Sequence, residues 1–368
     1  MVLELAIDVI AAKNRDALTE QLLGATRGVW DIFTVYLGDQ LGLYQALSEI
    51  EPATAGELAA ATGTHERYVR EWLEQQTVAG ILDCENSTAE AADRRFALPA
   101  GHAEVLVERD NLNYLAPLAQ ITAGAVFPIH TLLGAFRNGG GVPYEDYGAD
   151  LREGQAGMNR NLFLQQLGTE YLPAIPDLDA RLRAEPPARV ADIGCGVGWS
   201  SIGIANAYPM VLVDGFDLDE ASVVDAQPNV REARLTDRVR IEWRDAGDPT
   251  LAGRYDLVTA FECIHDMSDP VSVLRTMRRL TAPGGSVLVM DERVSERFRG
   301  EGNDVEWFMY GFSVLHCLPV GMADQPSVGT GTVMRPSTLQ DYALEAGFRE
   351  VELLPLANYF FNFYRLTV

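Results

Sequence analysis

The chain has 368 residues, 47% of them hydrophobic, enough for a large core and for two domains. Acidic residues outnumber basic ones 53 to 29, a formal charge of −24. Residues 1–100 already hold 16 acids against 7 bases, so neither end offers a basic surface, and nucleic acid is excluded as an expected partner.

Residues 14–47 predict one or two amphipathic helices, with Val29, Trp30, Ile32, Phe33, Val35, Tyr36 and Leu37 densely apolar. Thr54-Ala-Gly-Glu57 is a capping box before a helix from Leu58, and Gly63 ends that helix. Thr64 is expected to cap the next helix, which carries Val69, Trp72 and Leu73; Ile81–Cys84 and Arg95–Leu98 follow as two short strands. Residues 111–136 carry no charge, but Asn111, Asn113, Pro117, Gln120, Pro128 and His130 interrupt them, which predicts buried helices and no membrane span. Gln155–Arg183 is helical in pattern, with Met158, Asn159, Phe163 and Tyr171, and Pro186-Pro187 marks a domain junction. The four cysteines, Cys84, Cys195, Cys263 and Cys317, form no C-x-x-C and read as reduced thiols. With no signal peptide in view, a cytoplasmic location is expected.

Beyond the junction, strands and helices alternate. Val190–Ile193 is an apolar run carrying Asp192, broken by Gly194, Gly196 and Gly198 before a helix start. Glycines there let a ligand approach the backbone, and the helix N-terminus offers free N–H groups. Val211–Asp217 is a second strand ending in an acid, 23 residues after Gly194, placed to accept from ribose hydroxyls. Arg238–Asp245, Tyr255–Phe261 and Gly285–Asp291 complete a run of five, the last after the turn Ala282–Gly285, with helices near 220–235 and 269–281. Such alternation predicts a parallel sheet wound on both faces, with a ligand at the carboxyl ends of its strands.

Asp192–Gly198 reads D-x-G-x-G-x-G, and Trp199 stands where a dinucleotide fingerprint needs Gly or Ala. The pattern resembles motif I of the class I S-adenosylmethionine (SAM) methyltransferases, over residues 186–368. The resemblance implies an α/β fold: a Rossmann-like, doubly wound, seven-stranded methyltransferase domain, with SAM as cofactor. Asp192, Gly194, Gly196 and Gly198 would form the cofactor turn, Asp217 would hold the ribose, Leu218 would cover the adenine, and Asp245 with Ala246 and Phe261 would complete the site. The N-terminal helix–turn–helix and wing resemble the winged-helix module of plant-type O-methyltransferases and bacterial antibiotic methyltransferases. That implies residues 1–110 as a mostly helical dimerisation domain, 111–185 as a helical connector and substrate lid, and a homodimer acting on a small molecule. A SAM-sensing transcription regulator is the other class of reading; the second helix, with two arginines and three glutamates over His65–Glu74, argues against it.

Phe261–Asp269 resembles the His-Asp-Trp-Ser-Asp motif of the plant-type enzymes, with Met267 in place of tryptophan. The resemblance makes His265 the expected general base on an acceptor hydroxyl, ahead of Glu262. His265, Asp266 and His316 also have the residue types of a two-histidine-one-carboxylate metal site, as in 2-oxoacid C-methyltransferases, where a metal would hold an enolate. Without a metal, His316 is expected to position substrate. Trp307, Phe308, Met309, Tyr310 and Phe312 predict an aromatic pocket. Arg293 and Arg335 are expected at the surface, and Ser327–Val333 reads as a loop beside the site.

Overall fold

The computed structural model describes residues 2–50 and 52–368, with the side chains of residues 2–9 outside the description. The chain divides into two compact units, one ending at Ala123 and the other running from Gly124 to Val368. The segment 111–185 is thereby shared between them.

The first unit holds helices α1 (Val2–Gln40), α2 (Leu43–Ile50), α3 (Ala55–Thr62) and α4 (Glu66–Val78), strands β1 (Asp83–Cys84) and β2 (Phe96–Ala97), and α5 (Ala100–Leu106). Both bonds of the capping box form: Glu57 N–H donates to Thr54 Oγ1 and Thr54 N–H to Glu57 Oε2. His65, not Thr64, caps α4, because the Thr64 hydroxyl pairs with Thr62 at 2.7 Å and the His65 ring accepts from Arg67 N–H. The predicted wing strands pair antiparallel as β1 and β2. Leu47, Leu58, Val69, Leu73 and Phe96 form the core. Along α1, Leu18, Leu22, Leu23, Trp30 and Leu37 stay exposed.

The next elements are α6 (Ala116–Val126), α7 (Ile129–Asn138), a 3₁₀ turn (Tyr144–Tyr147), α8 (Gly148–Asn161), a π-helical stretch (Leu162–Tyr171) and α9 (Pro176–Arg183). No single helix among the described residues is long and apolar enough to cross a membrane; α6 and α7 approach that composition only as a pair bent by 50°.

The alternating region forms β3 (Arg189–Ile193), α10 (Trp199–Ala207), β4 (Leu212–Asp217), α11 (Glu220–Glu232), β5 (Val239–Trp243), β6 (Tyr255–Phe261), a 3₁₀ turn (Ile264–Asp266), α12 (Pro270–Leu280) and β7 (Thr281–Glu292). It ends in α13 (Asp304–Phe312), a second π-helical stretch (Ser313–Cys317), α14 (Leu318–Gly321), α15 (Pro336–Glu345), β8 (Glu350–Leu354) and β9 (Phe361–Thr367). The seven-stranded sheet runs β5-β4-β3-β6-β7-β9-β8, parallel through β7 and antiparallel at β9 and β8. The expected turn Ala282–Gly285 bulges from β7 where the register with β6 shifts. Alternate residues of β3 point to opposite faces: Val190 joins one buried cluster with α10 and α11, and Ala191 and Ile193 join another with α12 and α15. Both faces of the sheet are therefore covered, which leaves only the strand ends open to a ligand.

Candidate functional site

The carboxyl ends of β3, β4, β5 and β6 and the segments over them line a cavity of about 760 Å³, room for a nucleoside and a small second molecule. Of the expected residues, Gly194, Gly196, Asp217, Leu218, Asp245, Ala246, Phe261 and Asp266 form its wall. Asp192, Gly198, His265 and His316 stand outside that wall.

Asp192 is buried beneath the glycine turn. Its carboxylate accepts from Ser200 and Ser201 at 2.6 and 2.7 Å and from Thr259 at 2.7 Å. It thus ties the first turn of α10 to the strand ends, and its effect on a ligand is indirect. Gly198 is the left-handed N-cap of α10, at φ 86°. Gly196 sits at φ 51°, and an added Cβ there would meet no protein atom, so its open side belongs to the cavity.

Asp217 completes the cradle. Its Oδ2 accepts from Gly196 N–H at 2.7 Å and its Oδ1 from Asp219 N–H at 2.9 Å. Each carboxylate oxygen keeps a lone pair, which two neighbouring ribose hydroxyls can fill. Burial raises its pKa to about 6, against the pull of the two N–H bonds. Below that pH the group is protonated and loses acceptor capacity. Cofactor affinity is therefore expected to fall as pH drops from 7 through 6; titration calorimetry with S-adenosylhomocysteine reads it, and a flat profile from pH 7.5 to 5.5 refutes the role. Leu218 and Ala246 add apolar wall beside Asp217. The cradle, free acceptors and apolar flanks fit the adenosine half of SAM.

The opposite wall starts where β6 ends. Glu262 is a non-glycine residue at φ 55°, a conformation that costs about 1–3 kcal/mol. Its N–H bonds Met290 O of β7 at 2.8 Å, which holds the backbone there. Oε2 accepts from Asn159 Nδ2 at 3.3 Å; Oε1 is buried with no hydrogen-bond partner among the described residues. Burial raises the Glu262 pKa to about 8.

His265 lies behind this wall. Nδ1 is 3.0 Å from Asp291 Oδ1 and 3.1 Å from Glu292 Oε2, and Nε2 is 3.1 Å from Asp266 Oδ1. Burial favours the neutral ring, but the carboxylates of Glu292, Asp291 and Asp266 outweigh it and lift its pKa well above the usual value. A charged, walled-off imidazolium holds Asp266, and Asp266 is the member of the pair that faces the cavity.

His316 is also buried, edge-on to Tyr147 at 4.8 Å and tilted against Tyr144 at 5.8 Å. Burial lowers its pKa to about 4, so the ring is neutral, and its Nε2 has no partner among the described residues. The donor atoms that converge with those of His265 and Asp266, within 4.8 Å, belong to Cys317 instead of His316.

A strap over the cavity completes it. Val142 N–H bonds Pro319 O and Tyr147 Oη bonds Leu315 O, both at 2.9 Å, while Pro143, Tyr144 and Glu145 line the cavity. Gly141 packs so closely that a Cβ would fall 2.0 Å from Pro319 O. Gly141→Ala is expected to lift the strap and raise the acceptor KM about tenfold, since such overpacking costs about 1–3 kcal/mol. An unchanged KM means that the strap does not hold the acceptor.

Other expectations fail on packing. The aromatic run of α13 does not line the cavity; Trp307 is 78% exposed and Met309 is buried away from it. Arg293 is exposed, but Arg335 is not a surface residue: it bonds the buried Glu306, Ser295 O and Tyr310 Oη. The loop Ser327–Val333 lies beside the site as read, hydrogen-bonded to Ser268 O and His265 O. Tyr144 and Arg152 join the wall without any sequence motif to mark them, and Trp199, next to the glycine turn, joins it as well.

A methyltransferase-domain family model matches residues 163–353, just over half of the chain, and a winged helix-turn-helix domain model matches residues 32–108. A ubiquinone biosynthesis O-methyltransferase from Marinobacter nauticus is 31% identical over 174 residues, 45% of this chain; the chain spans 65% of that relative's length. The fold is similar to that of the mitomycin 7-O-methyltransferase MmcR, with a TM-score of 0.72, 21% identity and 97% and 99% of the two chains covered. It is also similar to human N-acetylserotonin methyltransferase in complex with SAM, with a TM-score of 0.69, 16% identity and 95% and 97% coverage.

Proposed function

The chain belongs to the SAM-dependent methyltransferase family, and on that premise we propose that it methylates a hydroxyl of a small molecule, with Glu262 as the proton acceptor. The observation that carries the proposal is one cavity with a nucleoside cradle on one wall and a buried, half-unpartnered carboxyl on the other. SAM, when bound, supplies an activated methyl carbon, to which an acceptor lone pair bonds as the carbon–sulfur electron pair returns to sulfur. Asp217 and the Gly196 turn hold the adenosine. Phe163 and Phe261, stacked at 5.6 Å, close the wall and keep water out. The Glu262 carboxylate, which lines the cavity, takes the proton that the acceptor oxygen gives up. Its raised pKa suits this transfer better than an ordinary carboxylate. His265 acts through Asp266, which it fixes at the wall.

The test is release of S-adenosylhomocysteine from SAM in the presence of a phenol panel, with and without chelator. Turnover that survives chelator supports the proposal; no product with any acceptor overturns it. One observation favours a metal-assisted second reading: donor atoms of His265, Asp266 and Cys317 lie within 4.8 Å of one another, as do those of His265, Asp291 and Glu292. Turnover abolished by chelator and restored by a divalent metal selects it.

A homodimer through the N-terminal unit is part of the same proposal, supported by the exposed apolar residues of α1. Light scattering is expected to give twice the chain mass, and Leu22→Glu with Trp30→Glu is expected to give the monomer. A monomeric wild type removes this part. On α4 Arg67 and Arg70 are paired with Glu71 and Glu66, which disfavours contact with a phosphate backbone.

A further inference from the structure

The two halves of the cavity wall carry their charge differently. The sheet order places β4 and β5 on one side of β3 and β6 on the other. Arg152 and Arg244 are the basic residues of the wall, and both belong to the adenosine side. Arg152 Nε is paired with Asp225 of α11 at 2.9 Å, and Arg244, after β5, is paired with Asp248 at 2.9 Å. On the β6 side the wall offers Glu262, Asp266, Asp269 and Asp324 and no basic side chain. His265 offsets part of the Asp266 charge from behind. An independent observation is the Glu262 carboxyl, set in the wall by a strained backbone and left with a buried oxygen unpartnered.

We propose that the methyl acceptor is a hydroxylated amine: a small molecule whose protonated nitrogen rests against Asp266, with Asp269 and Asp324 nearby, while its hydroxyl meets Glu262. The inference rests on the methyltransferase reading. A carboxylate-bearing acceptor would meet only like charges on this wall and find no basic partner. A neutral acceptor would make no charged contact with Asp266, whose charge His265 offsets only from behind. The transfer step is that given above; the ammonium takes no part in it and leaves unchanged.

The experiment compares three phenols of matched size: tyramine, 4-propylphenol and 3-(4-hydroxyphenyl)propanoate. Binding of S-adenosylhomocysteine is measured first by calorimetry; failure there removes the methyltransferase reading itself. On the protein saturated with S-adenosylhomocysteine, tyramine is expected to bind about tenfold or more tightly than the propanoate, with 4-propylphenol between, because a charged hydrogen-bonded pair is worth that factor. The gap is expected to narrow in high salt and in Asp324→Asn, an exposed position where the fold is not at risk. Equal affinities, a propanoate that binds best, or no detectable binding by any of the three overturns the inference while leaving cofactor binding intact.

Discussion

Gly196→Val is expected to abolish cofactor binding while leaving a folded protein. Two effects act together. The valine methyls would occupy space that the structure leaves open to the ligand, since no protein atom lies within 4 Å of an added Cβ. A β-branched residue at φ 51° is also strained, so the turn would shift and withdraw the N–H that Asp217 accepts. The expected loss of S-adenosylhomocysteine affinity is about 100-fold or more, equivalent to about 2.8 kcal/mol. The same open space means no clash with the protein, so only the strain, about 1–3 kcal/mol, is charged to stability. Calorimetry and a thermal melt read both quantities. Wild-type affinity in this variant would falsify the cradle.

Glu262→Gln is expected to lower turnover by about 10²–10⁴-fold, the usual range for removing a general base. The amide keeps the shape and can still accept from Asn159. The sign of the pH effect follows from the raised pKa. Glu262 is protonated below about 8 and accepts a proton only above it, so wild-type turnover should rise with pH through about 8. That limb should vanish in Glu262→Gln, leaving a low, flat profile. His265→Asn serves as the contrast: it releases Asp266 and should reduce turnover while the limb is retained and moves to higher pH, because the His265 charge holds the Glu262 pKa down. Full turnover in Glu262→Gln together with a dead His265→Asn would return the base to His265.

The sheet was legible because each parallel strand is a short apolar run that ends at a glycine turn or an acid. The cofactor wall was legible partly from where strands stop, which marks Asp217, and partly from the family resemblance, which adds Leu218, Asp245 and Ala246. An acid at a strand end does not say which way it points. Asp192 and Asp217 look alike in the sequence, yet Ser200, Ser201 and Thr259 draw the first inward. The burial of His265 was hidden for a related reason. Its partners Asp291 and Glu292 end the neighbouring strand, and only the register that pairs Phe261 with Met290 brings them alongside. Glu262 was undervalued because a positive φ on a glutamate has no sequence signature. The aromatic run Trp307–Phe312 misled because helical spacing shows that a face is apolar, not what it faces. The strap went unread because Gly139-Gly140-Gly141 carry no motif and say nothing of what the backbone packs against.

The π-helical stretch Leu162–Tyr171 sets a rule for anyone redesigning this protein. Gly203 of α10 lies so close to it that a Cβ would fall 2.1 Å from Phe163 O, so the stretch and the helix that starts at the cofactor turn are wedged together. Phe163, at the head of that stretch, forms part of the cavity wall. A one-residue deletion there would relax the wide turns to ordinary helix and swing the following side chains by about 100°. The side chain at 163 can change within what its packing on Phe261 allows, but the length of the segment is locked to the cofactor turn. New acceptor ranges in this lineage should therefore arise by substitution here, and insertions and deletions should collect elsewhere.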